Sequence, residues 1–168
     1  MVWYGKEAAV KIGDALTTVS TAETLWAQVT GTDYSAECKE LTINPGEAGI
    51  DVLNVYGDQL LEESRPELVT AEFTMVFTDV DIWGMSFGTA TGPSGYTRYQ
   101  GQDKTGSRTA KAIVFKLASS TKGTLHALMN NAYITAMGEM TLAADGSAEQ
   151  TFTAVCKLSD FYVEYASP

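Results

Sequence analysis

The stretch AYITAMGEMTLAADGSAEQTFTAVCKL, residues 132–158, decides the fold. Ile134, Ala136, Met140 and Leu142 recur at even spacing. After Asp145-Gly146, Phe152, Ala154, Cys156 and Leu158 do the same. Side chains two apart share one face of a strand, and Asp-Gly supplies the positive φ angles of a tight turn, so the segment predicts a β-hairpin. The intervening positions, Thr141, Glu149, Thr151 and Thr153, give it a polar outer face.

Working outward, LVTAEFTMVF (68–77) alternates in the same way. Val69, Ala71, Phe73, Met75 and Phe77 line one face, and Thr70, Glu72 and Thr74 the other. Further strands are predicted at 8–12, 36–43, 50–56, 109–117, 124–129 and 161–165. Turn residues separate several of them at Asn44-Pro45-Gly46, Gly57-Asp58 and Lys122-Gly123. Two spans read as non-strand: a charged loop or hairpin tip at 57–67, and a Gly/Ser/Thr-rich basic loop at 88–108. One short helix is predicted, with Thr78 as N-cap, Asp79 and Asp81 in its first turn, and an end near Trp83–Met85. The fold class is therefore all-β (mainly β): a two-sheet sandwich or barrel with one short flanking α-helix.

At 168 residues, 45% of them apolar, the chain suits a single domain, 1–168, with an N-terminal arm at 1–7. No apolar run approaches a membrane span, and MVWYGKEAAV lacks the basic and apolar regions of a secretory signal. The expectation is a soluble chain made in the cytoplasm. Cys38 and Cys156 lie far apart, which fits two small buried hydrophobes and leaves a single bridge open. One histidine and no compact acid cluster give no metal site, and no phosphate or dinucleotide motif is present, so no cofactor is expected.

The net charge of −10 is unevenly spread. Residues 1–81 carry 15 acids and 4 bases; residues 82–168 carry 6 and 7. Arg98, Lys104, Arg108, Lys111, Lys116 and Lys122 meet only Asp103. Opposite fields on one chain suit head-to-tail self-association, and equally a mixed solvated surface. The acidic total speaks against sequence-specific nucleic-acid binding.

An enzyme reading fails on context. GMSFG (84–88) matches G-x-S-x-G, with Asp103 and His126 downstream in the hydrolase order. A nucleophile elbow needs a strand running straight into the serine and a helix straight after it. Here the predicted strand ends nine residues before Ser86, and GTATGPSG follows. Glu37, Glu40, Glu62 and Glu63 read as solvated carboxylates with nothing to raise a pKa. Trp3, Tyr4, Tyr96 and Tyr99 sit in the arm and the Gly-rich loop, where aromatics either dock a partner or fold back on their own core.

The layout resembles the major tail tube proteins of tailed viruses. The resemblance is carried by the short arm leading into AAVKIG, by ECKELTINPGEAGIDVLNVYGDQ, by AEFTMVF running into DVDIWGM, and by the C-terminal hairpin. It covers most of the chain in hydrophobic spacing, without one diagnostic motif, and the 88–108 loop is longer than the pattern expects. It implies a structural virion protein whose copies form stacked hexameric rings around a DNA conduit. Its partners would be other copies, tape-measure and terminator or baseplate proteins, and a sheath where the tail contracts, with no membrane. Inter-subunit contacts would fall on Trp3, Tyr4, Glu62, Glu63, Tyr96, Arg98, Tyr99, Lys104 and Arg108. A conduit wall of Thr and Glu would not hold the polyanion, so Thr70, Glu72, Thr74, Glu149, Thr151 and Thr153 are the candidate lumen residues. Which sheet faces inward stays open. The alternatives are a small-ligand-binding β-barrel and another virion sandwich of decoration or adhesin type.

Overall fold

The computed structural model describes residues 7–34, 38–44, 50–55, 59–64, 68–76, 88–100, 109–119, 121–142 and 148–168. The strands are β1 (Glu7–Asp14), β2 (Gly31–Asp33), β3 (Cys38–Asn44), β4 (Ile50–Val55), β5 (Gln59–Ser64), β6 (Leu68–Val76), β7 (Gly88–Ala90), β8 (Arg98–Gln100), β9 (Lys111–Ser119), β10 (Gly123–Leu142), β11 (Ala148–Lys157) and β12 (Phe161–Ala166). The described helix is α1, Leu25–Gln28.

Eight strands form one antiparallel sheet in the order β2-β1-β9-β10-β11-β6-β3, with β12 also paired to β10. The class is all-β, and its two packed layers are halves of that one sheet. Strand β10 joins them. Its first half lies between β9 and β12, and its second half pairs with β11. The segments expected separately at 124–129 and 132–142 are therefore one 20-residue strand. The chain turns the corner at Asn131, whose φ of 49° lies in the left-handed region that asparagine tolerates better than most residues. Register shifts on both flanks, after Met129 and after Ile134, mark β-bulges, which bend a strand and raise its twist. The second bulge also alters the expected pairing: Ala136 stands opposite Thr153, and Met137 takes the place opposite Phe152.

Folding the sheet on itself brings the inner faces together. Val69, Ala71, Phe73 and Met75 of β6 and Phe152, Ala154 and Cys156 of β11 meet Val10, Ile12, Ile113, Phe115 and Met129 from the other half. Phe73 stacks on Phe152 at 5.7 Å between centroids and meets Phe115 edge-on at 6.1 Å. Burying each such ring contributes about 1.5–3 kcal/mol.

The half containing β9 is apolar on its outer side too, through Ala112, Val114 and Leu128, and α1 covers it with Leu25 and Val29. Thr24 caps the helix, its hydroxyl accepting from the Ala27 N–H at 3.3 Å. Asn130, buried where β10 turns, accepts from the Leu16 N–H at 2.8 Å and donates to the Leu16 carbonyl at 2.9 Å. That pair ties the segment carrying α1 to the corner of the sheet. Gly13 and Gly31 are cross-strand partners, and a Cβ on either would overlap the opposing backbone.

Three expectations change. Residues 59–64 are a strand: β5 pairs with β4, with Leu61 opposite Leu53, and a two-stranded ribbon tolerates the glutamates that argued for a loop. The 88–108 segment contains the β7–β8 ribbon, closed at Pro93–Tyr96, where Gly95 has φ 84° and Tyr96 N–H donates to the Pro93 carbonyl. The described helix lies at 25–28; the one expected at 78–85 falls outside the described residues.

Asn130→Ala should lower the unfolding free energy by about 1–3 kcal/mol, because the Leu16 amide and carbonyl lose their partners. Asn131→Gly should be tolerated, whereas Asn131→Val should cost about 1–2 kcal/mol. Urea unfolding midpoints at unchanged m-value check both.

Candidate functional site

The outer face of the β3–β6–β11 half is the one broad polar face that the described strands leave uncovered. Register aligns its residues in rows across the strands. Glu40, Thr74 and Thr151 form one row, Thr42, Glu72 and Thr153 the next, and Asn44, Thr70 and Val155 a third. All are exposed or half-buried, while the residues between them enter the core. The Thr74 and Thr151 hydroxyls lie 2.8 Å apart and hydrogen-bond across the strands. The Thr135 hydroxyl donates to the Thr153 carbonyl at 3.4 Å. Such cross-strand threonine pairs contribute roughly 0.2–1 kcal/mol each and hold short side chains flat against the sheet.

The six residues singled out as a possible lumen wall therefore share one surface. Thr70, Glu72 and Thr74 come from β6, and Glu149, Thr151 and Thr153 from β11. Sequence reasoning missed Glu40, Thr42 and Asn44, which carry the same face onto β3. The signal was the E-x-T-x-N alternation in ECKELTIN, legible only once β3 is known to pair with β6. Glu40, Glu72 and Glu149 set the sign of the face, and Lys157 stands at its rim among the described side chains.

At that rim lies an open groove of about 490 Å³, lined by Leu68, Tyr133, Val155, Lys157 and Asp160 among others. Cys156 also borders the groove, while its side chain lies in the core; it is a free thiol, 3% exposed. Burial, with Asp160 nearby, pushes it up to about 12. Cys38 pairs opposite Met75 and Cys156 opposite Val69, six residues apart along β6. That is about 20 Å, beyond any disulfide's reach.

The opposite outer face is built differently. The Glu164 carboxylate accepts from the Leu25 N–H at 2.8 Å and lies 2.6 Å from Nδ1 of His126. His126 stacks on Trp26, while Lys11 donates to the Trp26 carbonyl and sits 4.3 Å over its ring. These side chains seat α1 on the sheet. Ser86 and Asp103, the other members of the hydrolase pattern, fall outside the described residues.

Among the candidate inter-subunit residues, Tyr96 is 77% exposed, and Arg98 is exposed and donates to the Thr91 carbonyl at 3.3 Å. Glu62 and Glu63 lie on β5, opposite Val52 and Asp51, and Tyr99 lies on β8 opposite Thr89. Trp3, Tyr4, Lys104 and Arg108 fall outside the described residues. Among the described residues no three His, Cys, Asp or Glu side chains converge as a metal site, and no helix is long and apolar enough to cross a membrane. No protein-family model matches the chain, and no curated protein matches it.

In a Cys38→Ser background, Cys156 should stay silent to Ellman's reagent at pH 8 until the protein is unfolded. The folded thiol holds its proton above the unfolded value, so its contribution to stability is complete below about pH 9. That contribution should be lost progressively as pH rises toward 12. Urea titrations at pH 8 and pH 10 of this protein, set against a Cys156→Ala variant, read that slope.

Proposed function

We propose that the chain is a structural subunit of a viral tail tube, assembling with copies of itself into stacked hexameric rings around a conduit for DNA. The observation that carries this reading is the threonine and glutamate face just described. Lysines on a conduit wall would neutralise phosphates and release counterions, holding the polyanion in place. Short hydroxyl side chains with scattered carboxylates do the reverse, and ring symmetry multiplies each carboxylate sixfold.

The edges of the same half-sheet support the reading. β3 ends the strand order on one side. On the other, β9 pairs with β10 only as far as Ala132, and among the described residues no strand flanks 133–142 opposite β11. A half-sheet that ends, among the described strands, in edge strands of opposite direction can join head to tail and close into a barrel. Six copies of four strands, at about 4.8 Å per strand and a tilt near 40°, give a barrel roughly 48 Å across at the backbone. That leaves a channel wider than a nucleic-acid duplex.

In this role the protein catalyses nothing and needs no cofactor. It is made in the host cytoplasm and ends in the virion tail. Its partners are other copies, tape-measure and terminator or baseplate proteins, and a sheath in contractile tails. Phe73, Phe115 and Phe152 occupy the space that a ligand-holding barrel would need.

Negative-stain microscopy of the purified chain should show rings or tubes. A protein that stays monomeric at high concentration, through raised salt and temperature, overturns the reading. Glu72→Lys with Glu149→Lys should leave assembly intact and slow DNA ejection from virions; unchanged ejection kinetics would remove both side chains from the lumen.

A further inference from the structure

Strand β12 is the last of its half of the sheet: among the described strands it pairs with β10 alone. Its alternate residues have different tasks. Tyr162 and Glu164 stand on the α1 side, where Glu164 bonds His126 and the Leu25 amide. Phe161, Val163 and Tyr165 stand on the core side, paired with Met129, Ala127 and Leu125. Phe161 packs against the core, whereas Val163 and Tyr165 are each 56% exposed, and Tyr162 is exposed on the other side. Edge strands are usually kept single by lysine, proline, a bulge or a free charge. FYVEYA contains no lysine or proline, its register with β10 is unbroken, and its one carboxylate is engaged by His126 and α1.

The strand's own sequence supplies a matching partner. In antiparallel pairing about a two-fold axis, residues that face each other lie on the same side of the joint sheet. With the axis at Val163, Val163 meets its copy, Phe161 meets Tyr165, and Tyr162 meets Glu164. Apolar residues then face apolar residues on the core side, and no carboxylate faces another. Moving the axis to Glu164 sets two carboxylates opposite each other, and moving it to Tyr162 sets Asp160 opposite Glu164. Like charges directly opposed are destabilising. A slip of one residue turns the apolar side of one strand to the α1 side of the other. Parallel pairing in register lines Glu164 up with its copy. Among these arrangements, charge and face together select the axis at Val163.

We infer that β12 is a docking edge for a second copy of this chain, pairing antiparallel with that copy's β12 about a two-fold axis through Val163. The two β9–β10–β12 layers then run on into one another, and the exposed Val163 and Tyr165 gain apolar neighbours across the axis. The contact is isologous, so it closes at two chains and does not grow. It lies on the other half of the sheet from the threonine and glutamate face and does not rest on the tube reading.

The test is disulfide trapping of the full chain in a Cys38→Ser background, comparing Val163→Cys with Tyr165→Cys. The two positions are equally exposed, so random collision oxidises them alike. In the inferred pair, position 163 faces its copy at about 5.5 Å between Cα atoms, within a disulfide's reach. Position 165 lies four residues along from its copy, about 14 Å away and out of reach. Under mild oxidation Val163→Cys should give a covalent dimer at least ten times faster than Tyr165→Cys, with the linked peptides identified by mass spectrometry. Equal rates overturn the inference, and a faster Tyr165→Cys assigns another register and overturns it too. As a second measurement, sedimentation velocity should show a dimer that grows with concentration, counted apart from any larger assembly. Val163→Lys, which sets two ammonium groups face to face at an exposed position, should raise the concentration for half-dimerisation at least tenfold without moving the urea midpoint appreciably. A dimer unchanged by Val163→Lys also counts against the pairing.

Discussion

Everything in this fold depends on one strand belonging to two layers. β10 pairs with β9 and β12 along its first half and with β11 along its second. Without a bend it would project a flat sheet with both faces bare. The bend is local: one asparagine in the left-handed region, bulges on either side, and a neighbouring asparagine hydrogen-bonded to both polar groups of Leu16. From that corner follow the meeting of Phe73 with Phe115 across the core and the placing of α1 over the outer side of β9. The polar face of β3–β6–β11 then remains as the opposite outer surface.

The two outer surfaces have opposite characters for reasons visible in composition. The run Ala112-Ile113-Val114-Phe115 is buried on both sides, as a strand between two covers must be. It needs α1 above it, and the Glu164, His126, Trp26 and Lys11 side chains satisfy the polar groups that seat the helix. β6 and β11 are covered on one side only, so they alternate strictly. The uncovered positions hold threonine, which suits a strand by its branching and offers a hydroxyl for cross-strand pairing. A polar, weakly acidic face is therefore an outer surface that these strands form at little cost. The conduit wall proposed above would draw on the same chemistry.

Much of this was legible in the sequence wherever the signal was local. Alternation at 68–77 and 148–157 marked the two central strands and sorted their faces correctly, including the six Thr and Glu residues that share the outer one. Legibility failed where the deciding partner was distant. Asn130-Asn131 looked like a break between strands because its meaning, a bend stabilised by Leu16, rests on a contact 114 residues away. Glu62 and Glu63 argued against a strand at 59–64, since pairing with β4 cannot be seen in composition. LWAQ is too short for any helical period to register. It is a helix because Thr24 and Glu164 satisfy its first amides and the sheet buries Leu25. Glu40 was read as a solvated carboxylate and Asn44 as part of a turn, until register put them, with Thr42, beside β6.

The open edges complete the physical picture. Exposed strand edges invite indiscriminate pairing, and soluble proteins usually shorten, charge or cover them. This chain does so unequally. β2 is three residues long and guards little of β1. β3 carries Glu40 on its outer face, a charge that opposes casual stacking. β12 has neither defence: its exposed residues include Tyr162, Val163 and Tyr165, and its one carboxylate, Glu164, is turned to His126 and α1. A strand edge charged on its face admits only a partner that arrives in register. The apolar end at β12, without such a guard, is surface of a kind soluble monomers rarely leave bare. In the proposed tube, regular pairing of copies along such a charged edge would let the chain self-associate in one direction.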